Sequence, residues 1–277
     1  NNWMTAESNL YSIMNPITKE IITGKVKSSF FTDSGKNSNI LGMRKFHTFI
    51  KSLTYNKFAD GAKWLLEIGA GRFGDLIRWS DNNIKNIVAL DVDKDAIEEG
   101  NKRLTVFKNN KNKIENVYSG VFDLTTDEWN GVIEQTIAPL KIVKFDVVMI
   151  HFAIHFFMSG ESYVDMMVKN LMETTKKGSF VVITAMDGAK VVKLLSNTDK
   201  GGVYEIKKKD KTIFGLRKEY EGATLVDMGQ QISVYVESIG NYNDEYLVNF
   251  EFLKEKMKDG FNVYEELDFE KFIIYIY

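Results

Sequence analysis

The 277-residue sequence contains no cysteine. Disulfides, thiolate metal sites and cysteine nucleophiles are therefore excluded. Histidine is scarce, with three in the chain, so imidazole chemistry is confined to few positions. No long hydrophobic run exists. The longest apolar-looking stretch, Val147 to Met158, covers 12 residues and includes two histidines. It is too short and too polar to span a bilayer. Charge of one sign is also missing, with 36 basic against 38 acidic residues. That balance excludes a general nucleic-acid coat and leaves only a local basic patch open. No secretory signal, internal repeat or low-complexity segment is visible. The chain begins Asn1-Asn2 without an initiator methionine, which reads as a piece cut from a longer protein. Its length is enough for a hydrophobic core that needs no disulfide or structural metal.

The organisation is a polar lead followed by a regular alternation. Residues 1–39 carry turn signals at Asn15-Pro16 and Ser34-Gly35-Lys36-Asn37 and read as an extension or linker. Met43, Phe46, Phe49, Ile50 and Leu53 recur at helical spacing and predict a helix over 39–53, with Lys51 near its end. From residue 64 the pattern predicts strands over 64–68, 84–90, 114–118, 145–150 and 179–185. Helices are predicted over 73–80, 94–107 and 162–175, with Asp91 and Asp93 placed to cap the second. Residues 201–236 break the alternation and read as an antiparallel insertion. A helix over 244–258 and strands near 261–267 and 272–277 are expected to close the chain. The expected architecture is α/β: a mostly parallel, seven-stranded sheet with helices on both faces, forming one domain over 40–277.

The sharpest segment is Leu66-Glu67-Ile68-Gly69-Ala70-Gly71-Arg72-Phe73-Gly74-Asp75-Leu76. A strand ends in glycines and a helix follows, so backbone N–H groups can approach a ligand closely. Glu67 stands just before the first glycine, where it would repel a pyrophosphate and suit an ammonium or sulfonium group. About 20 residues on, Asp91 ends the next strand, where a carboxylate can accept from both ribose hydroxyls. A tight turn with a helix cap would account for the glycines and Asp91 without a ligand, but not for their agreement with Glu67 in order and spacing. Glu67 and the terminal strand pair favour S-adenosylmethionine over a nicotinamide dinucleotide. Asp123 follows the third strand and reads equally as an acceptor for an adenine amine or as a helix cap.

His151 and His155 fall just beyond the fourth strand, where open parallel sheets bind ligands. An i, i+4 histidine pair could face a metal ion, but no third ligand is evident nearby, so no metal is expected. Core histidines are the plain alternative. The favoured reading is a substrate wall in which imidazole and aromatic rings border a flat base.

At this point the sequence resembles the messenger RNA cap guanine-N7 methyltransferase family. Arg44 to Ser52, Leu66 to Leu76, Phe152-Ala153-Ile154-His155-Phe156 and Asp244-Glu245-Tyr246-Leu247-Val248 resemble four phrases of that family in order. The resemblance runs from about Ile40 to the C-terminus and is similar to the methyltransferase end of multifunctional capping enzymes of large DNA viruses. It implies a Rossmann-like, class I S-adenosylmethionine-dependent fold. Lys51 would lie against the methionine carboxylate of the cofactor. Gly69, Gly71 and the backbone at His151 would hold its amino end, Asp91 the ribose, and Asp123 the adenine. His155, Phe156 and Glu245, with Tyr246 beside it, would surround the guanine, and Arg72 and Arg103 would meet the cap phosphates. The first phrase departs from the family by placing Phe46 and His47 where asparagines are expected. Phe156 and Phe272 stand where tyrosines are expected.

The implied substrate is capped RNA, and the implied setting is intracellular, in host cytoplasm or virion. Triphosphatase and guanylyltransferase domains in the same longer chain are implied as companions. Two other functions stay open on the residues alone: a methyltransferase acting on another RNA position or a small molecule, and a non-catalytic module that binds RNA or a partner. Lys207, Lys208, Lys209, Lys211 and Lys218 read as a solvated hairpin, with RNA phosphate steering as the alternative.

Overall fold

A computed structural model describes residues 39–108, 114–123, 144–269 and 271. The polar lead over 1–38 and the strand expected over 272–277 lie outside these residues. Helix α1, Leu41–Phe58, is followed by β1, Trp64–Ile68, and α2, Leu76–Asp81. Then come β2, Asn86–Asp91, α3, Lys94–Lys108, and β3, Asn116–Val121. Strand β4, Phe145–His151, leads into a 3-10 turn, Ile154–Ser159, then α4, Glu161–Thr174, and β5, Thr175–Thr184.

These strands form a five-stranded parallel sheet in the order β3-β2-β1-β4-β5. The two residue sets of β1, β2 and β4 are buried on opposite faces, which is why these strands read as continuous apolar runs rather than alternating ones. Leu65, Ile87, Ala89, Val147 and Met149 pack with Tyr55, Phe73, Trp79 and Ile97. Leu66, Val88, Leu90, Val148 and Ile150 pack with Val164, Met167 and Leu171. The order reverses between β1 and β4, so a crevice opens at their carboxyl ends.

After α5, Gly188–Leu194, the chain builds a separate four-stranded antiparallel sheet. It comprises β6, Val203–Lys208, β7, Lys211–Lys218, β8, Gln231–Val236, and β9, Tyr242–Tyr246, in sequential order. Helix α6, Phe250–Met257, follows. Among the described residues no helix is long and apolar enough to cross a membrane.

Three sequence expectations are corrected here. The parallel sheet has five strands among the described residues rather than seven, and 261–267 forms no strand. The antiparallel insertion reaches Tyr246 rather than ending at 236. The helix expected over 244–258 begins only at Phe250, and Glu245 lies on β9, paired with Ile232. Asn249 sets that helix start: its side chain accepts from the N–H groups of Glu251 and Phe252, the N-cap arrangement.

Candidate active site

The glycine loop sits at the switch between β1 and β4. The N–H groups of Gly69 and Ala70 both donate to Leu90 O, at 2.9 and 3.0 Å. Gly69 has φ +73°, and a Cβ there would lie 2.6 Å from the Ala153 Cβ. Only glycine lets the loop touch the segment after β4 so closely. Phe73, although not glycine, holds φ +54° in the same loop.

Asp91 braces this loop. Its Oδ2 accepts from Gly71 N at 2.7 Å and its Oδ1 from Asp93 N at 2.9 Å. Asp93, not Asp91, caps α3, by accepting from Ala96 N. The Asp91 carboxylate is half-buried and keeps acceptor capacity on both oxygens for a ligand's hydroxyls. Asp123 is exposed at the end of β3. The helix it was alternatively expected to cap falls outside the described residues.

Lys51 reaches in from α1. It pairs with Asp75 Oδ2 at 2.7 Å, its side chain is one-fifth exposed, and its ammonium lies 6.0 Å from the Phe152 ring centre. Asp75 also receives Arg78 at 2.6 Å on Oδ1. Burial would raise the Asp75 carboxyl, but Lys51, the hydrogen bond from Glu67 and Arg78 outweigh it and hold it at about 2. Sequence reasoning gave Asp75 no role. Its place before an apolar helix suggests a cap, yet it makes no side-chain cap bond and serves Lys51 instead.

Glu67 differs most from expectation. It is 1% exposed and turned into the core, where Oε2 accepts the Tyr55 hydroxyl at 2.5 Å and the Trp79 indole N–H at 2.6 Å. It does not face a ligand's ammonium. Burial, with the neighbouring Asp75, pushes its carboxyl well above the usual range.

The segment after β4 completes the crevice. The His151 side chain is buried, 3.0 Å from Thr184 Oγ1 and 3.3 Å from Thr54 Oγ1. Burial, aided by Lys51, depresses it to about 3, so the ring is neutral. The imidazole is thus held within the core and not presented to a ligand. Phe152 holds φ +57° and stacks on His47 at 4.6 Å, with Phe269 edge-on at 6.2 Å. Such strain in a bulky residue tends to collect at functional sites. No sequence signal marked it.

The two sheets meet at His155 and Glu245. His155 Nδ1 lies 3.9 Å from Glu245 Oε2, beyond hydrogen-bond range. Burial lowers His155 to about 4 and raises Glu245 to about 7. The imidazole is therefore neutral at physiological pH, and the two do not form an ion pair. Phe156 is exposed, its ring centre 4.1 Å from that of His155. Tyr246, next to Glu245 on β9, is partly buried and packs against the cluster that includes Ile154 and Phe157 on either side of His155 and Phe156. Arg103 donates to Arg72 O at 3.3 Å and pairs with Glu99, which puts the two arginines together at the loop's outer edge. Lys218 is buried and donates to Thr198 O, so it is removed from the candidate phosphate contacts.

A family model described as mRNA (guanine-N(7))-methyltransferase domain matches residues 25–273. The chain belongs to that family. It is an S-adenosylmethionine-dependent methyltransferase domain with the class I fold. A probable mRNA-capping enzyme of Acanthamoeba polyphaga mimivirus is 28% identical over 94% of this chain and 26% of its own length. An mRNA-capping enzyme of African swine fever virus is 24% identical over 99% of the chain and 32% of its own length. The mRNA cap guanine-N(7) methyltransferase of Schizosaccharomyces pombe is 24% identical over 82% of the chain and 61% of its own length. The chain thus spans about a quarter to a third of the viral relatives' length. Among solved structures, an S-adenosylmethionine-dependent methyltransferase from Clostridium acetobutylicum superposes with a TM-score of 0.52 at 15% identity, covering 94% of this chain and 91% of that one. The CcbJ methyltransferase of Streptomyces caelestis gives 0.54 at 14% identity, covering 79% and 81%. Both comparisons carry the fold.

Proposed function

We propose that this domain transfers a methyl group from S-adenosylmethionine to N7 of the guanosine that caps messenger RNA. The observation that supports the reading is the approach of His155 to Glu245, on the turn that follows the Ala153 met by Gly69, in a member of this family. The residues suit the cofactor. A positive-φ glycine loop leaves room for backbone approach, Asp91 keeps acceptor capacity for ribose hydroxyls, and Lys51 offers a partly exposed cation for a carboxylate. When bound, the cofactor supplies an electrophilic methyl on a positively charged sulfur.

The chain's own task is positioning. Asp91 would hold the ribose, Lys51 the carboxylate, Gly69, Gly71 and the His151 backbone the amino end, and Asp123 the adenine amine. His155 and Phe156 would flank the guanine, while Arg72 and Arg103 would meet the cap phosphates, to which guanidinium geometry is suited. Guanine N7 is already nucleophilic at neutral pH, so no general base is required. Alignment alone can lower such a barrier by roughly 7–11 kcal/mol. Glu245, once ionised, would accept from guanine N1–H and the exocyclic amine and favour the positive charge that the base gains. In the longer protein we place this domain beside triphosphatase and guanylyltransferase activities, acting in host cytoplasm or virion.

The test is transfer of labelled methyl to RNA ending in an unmethylated guanosine cap, against the same RNA already methylated at N7. Label on the first alone is expected. Label on both would move the target to another position, and label on neither, with cofactor bound, would favour a binding role.

A further inference from the structure

The carboxyl pair beneath the glycine loop has a proton count set by its geometry. Glu67 and Asp75 are 1% and 2% exposed. Two carboxylates buried in one cluster do not both stay ionised unless each is met by a cation, so their partners decide which one carries a proton. Asp75 is met by two cations, Lys51 on Oδ2 and Arg78 on Oδ1. Glu67 is met on Oε2 by two neutral donors, Tyr55 and Trp79. The ionised member is therefore Asp75, and the proton sits on Glu67, with Oε1 the oxygen left to carry it.

We propose that Glu67 is a protonated positioning residue, whose proton leaves Asp75 the one anion against Lys51 and Arg78 and gives the Lys51, Arg78, Asp75 and Glu67 cluster one net positive charge for the carboxylate of the cofactor's methionine end. With two cations and one anion the cluster complements a single carboxylate. With Glu67 ionised the net charge would be zero, and the incoming carboxylate would face a neutral, buried site. The other titratable groups packed around Glu67 do not alter this count. Burial and Glu67 itself keep the Tyr55 hydroxyl from α1 protonated, and the His151 ring from β4 is neutral. The proposal rests on the reading of Lys51 as the carboxylate anchor and adds the device that sets its charge.

Glu67→Gln tests it, because the amide oxygen can accept from Tyr55 and Trp79 at unchanged charge. At neutral pH the wild type is expected to show a buried carboxylic-acid carbonyl band in the infrared that E67Q lacks. Calorimetry with S-adenosylhomocysteine is expected to give E67Q an affinity within about threefold of wild type. Superimposable infrared spectra would overturn the proposal. So would binding tightened about tenfold or more, since that is the response to neutralising an ionised Glu67. Binding weakened about tenfold with an unchanged melting temperature would overturn it too, because the proton would then not be what matters. Should E67Q fail to fold, isotope labelling of glutamate carboxyls in Glu245→Gln protein decides the question: a shifted acid band supports the proposal, and no acid band overturns it. Failure of wild type to bind S-adenosylhomocysteine would count against the proposed function, while the infrared result would still decide the proton.

Discussion

At the scale of single residues, Glu245 is the group whose chemistry is most visible in solution. Burial raises its carboxyl to about 7, yet only the ionised form can accept two hydrogen bonds from guanine. The expectation is that kcat/KM for capped RNA, which reports the free enzyme's groups, rises as pH passes through about 7 and levels above it. A flat profile across that range would remove Glu245 from guanine recognition. The same group makes a stability prediction of the opposite sign. Its folded value lies above its unfolded one, so the native state binds the extra proton, and stability falls as pH rises from the unfolded to the folded value. Glu245→Gln should leave the melting temperature unchanged in acid, where both side chains are neutral. At about pH 8 it should raise stability by on the order of 2 kcal/mol, while methyl transfer is lost and S-adenosylhomocysteine binding survives. Equal loss of cofactor affinity would contradict the placement of Glu245 on the guanine side. Had the imidazole been charged it would have held the carboxylate, but burial keeps His155 neutral at about 4.

At the scale of elements, the turn that joins β1 to α2 carries the tightest steric demand. Gly69→Ala adds a Cβ 2.6 Å from that of Ala153 at φ +73°. A loss of about 1–3 kcal/mol in denaturant unfolding is expected, together with weakened cofactor binding, because the loop and the segment after β4 must move apart. A fully stable variant would show that they can separate without cost. This loop was readable in the sequence, since closely spaced glycines after an apolar run mark a strand that turns sharply into a helix, and the parallel sheet followed from alternation. The boundaries and the last third were less readable. Residues 244–258 have helix-compatible spacing, but β8 offers β9 a pairing edge, with Ile232 opposite Glu245 and Ser233 opposite Asp244, and tertiary pairing overrides local preference. Gly69, Gly71 and Asp91, legible from position, meet in one braced loop, and Lys51, implied by the family resemblance, reaches Asp75 beside it. Glu67 turns into the core instead, because sequence order gives a neighbour but not the face toward which a side chain turns. Asp75 was missed for a related reason: its partners lie on α1 and α2 and meet only in three dimensions.

At the scale of the whole molecule, the proposed reading puts the cofactor on the parallel sheet and Glu245 on the antiparallel one, so charge far from these two should matter little. The β6–β7 hairpin turns through Lys209 and Asp210, both at positive φ, and carries the most basic stretch of the chain. Three of its lysines are already engaged within the protein. Lys207 pairs with Glu205 and Lys211 with Glu237, each at 2.9 Å, and Lys218 is buried on Thr198 O. Replacing both Lys207 and Lys211 by alanine should therefore change the slope of log affinity for capped RNA against log salt by less than about one. Arg72 and Arg103, side by side at the glycine loop, should behave differently. Each alanine substitution there should lower that slope by about one and weaken capped RNA while sparing S-adenosylhomocysteine. With 36 basic and 38 acidic residues, the molecule has no general field to attract RNA, and on the proposed reading specificity for the capped end would rest on Arg72 and Arg103. If the hairpin lysines instead dominated the slope, the RNA body and not the cap would be the main handle, and the path of the transcript would run over the antiparallel sheet.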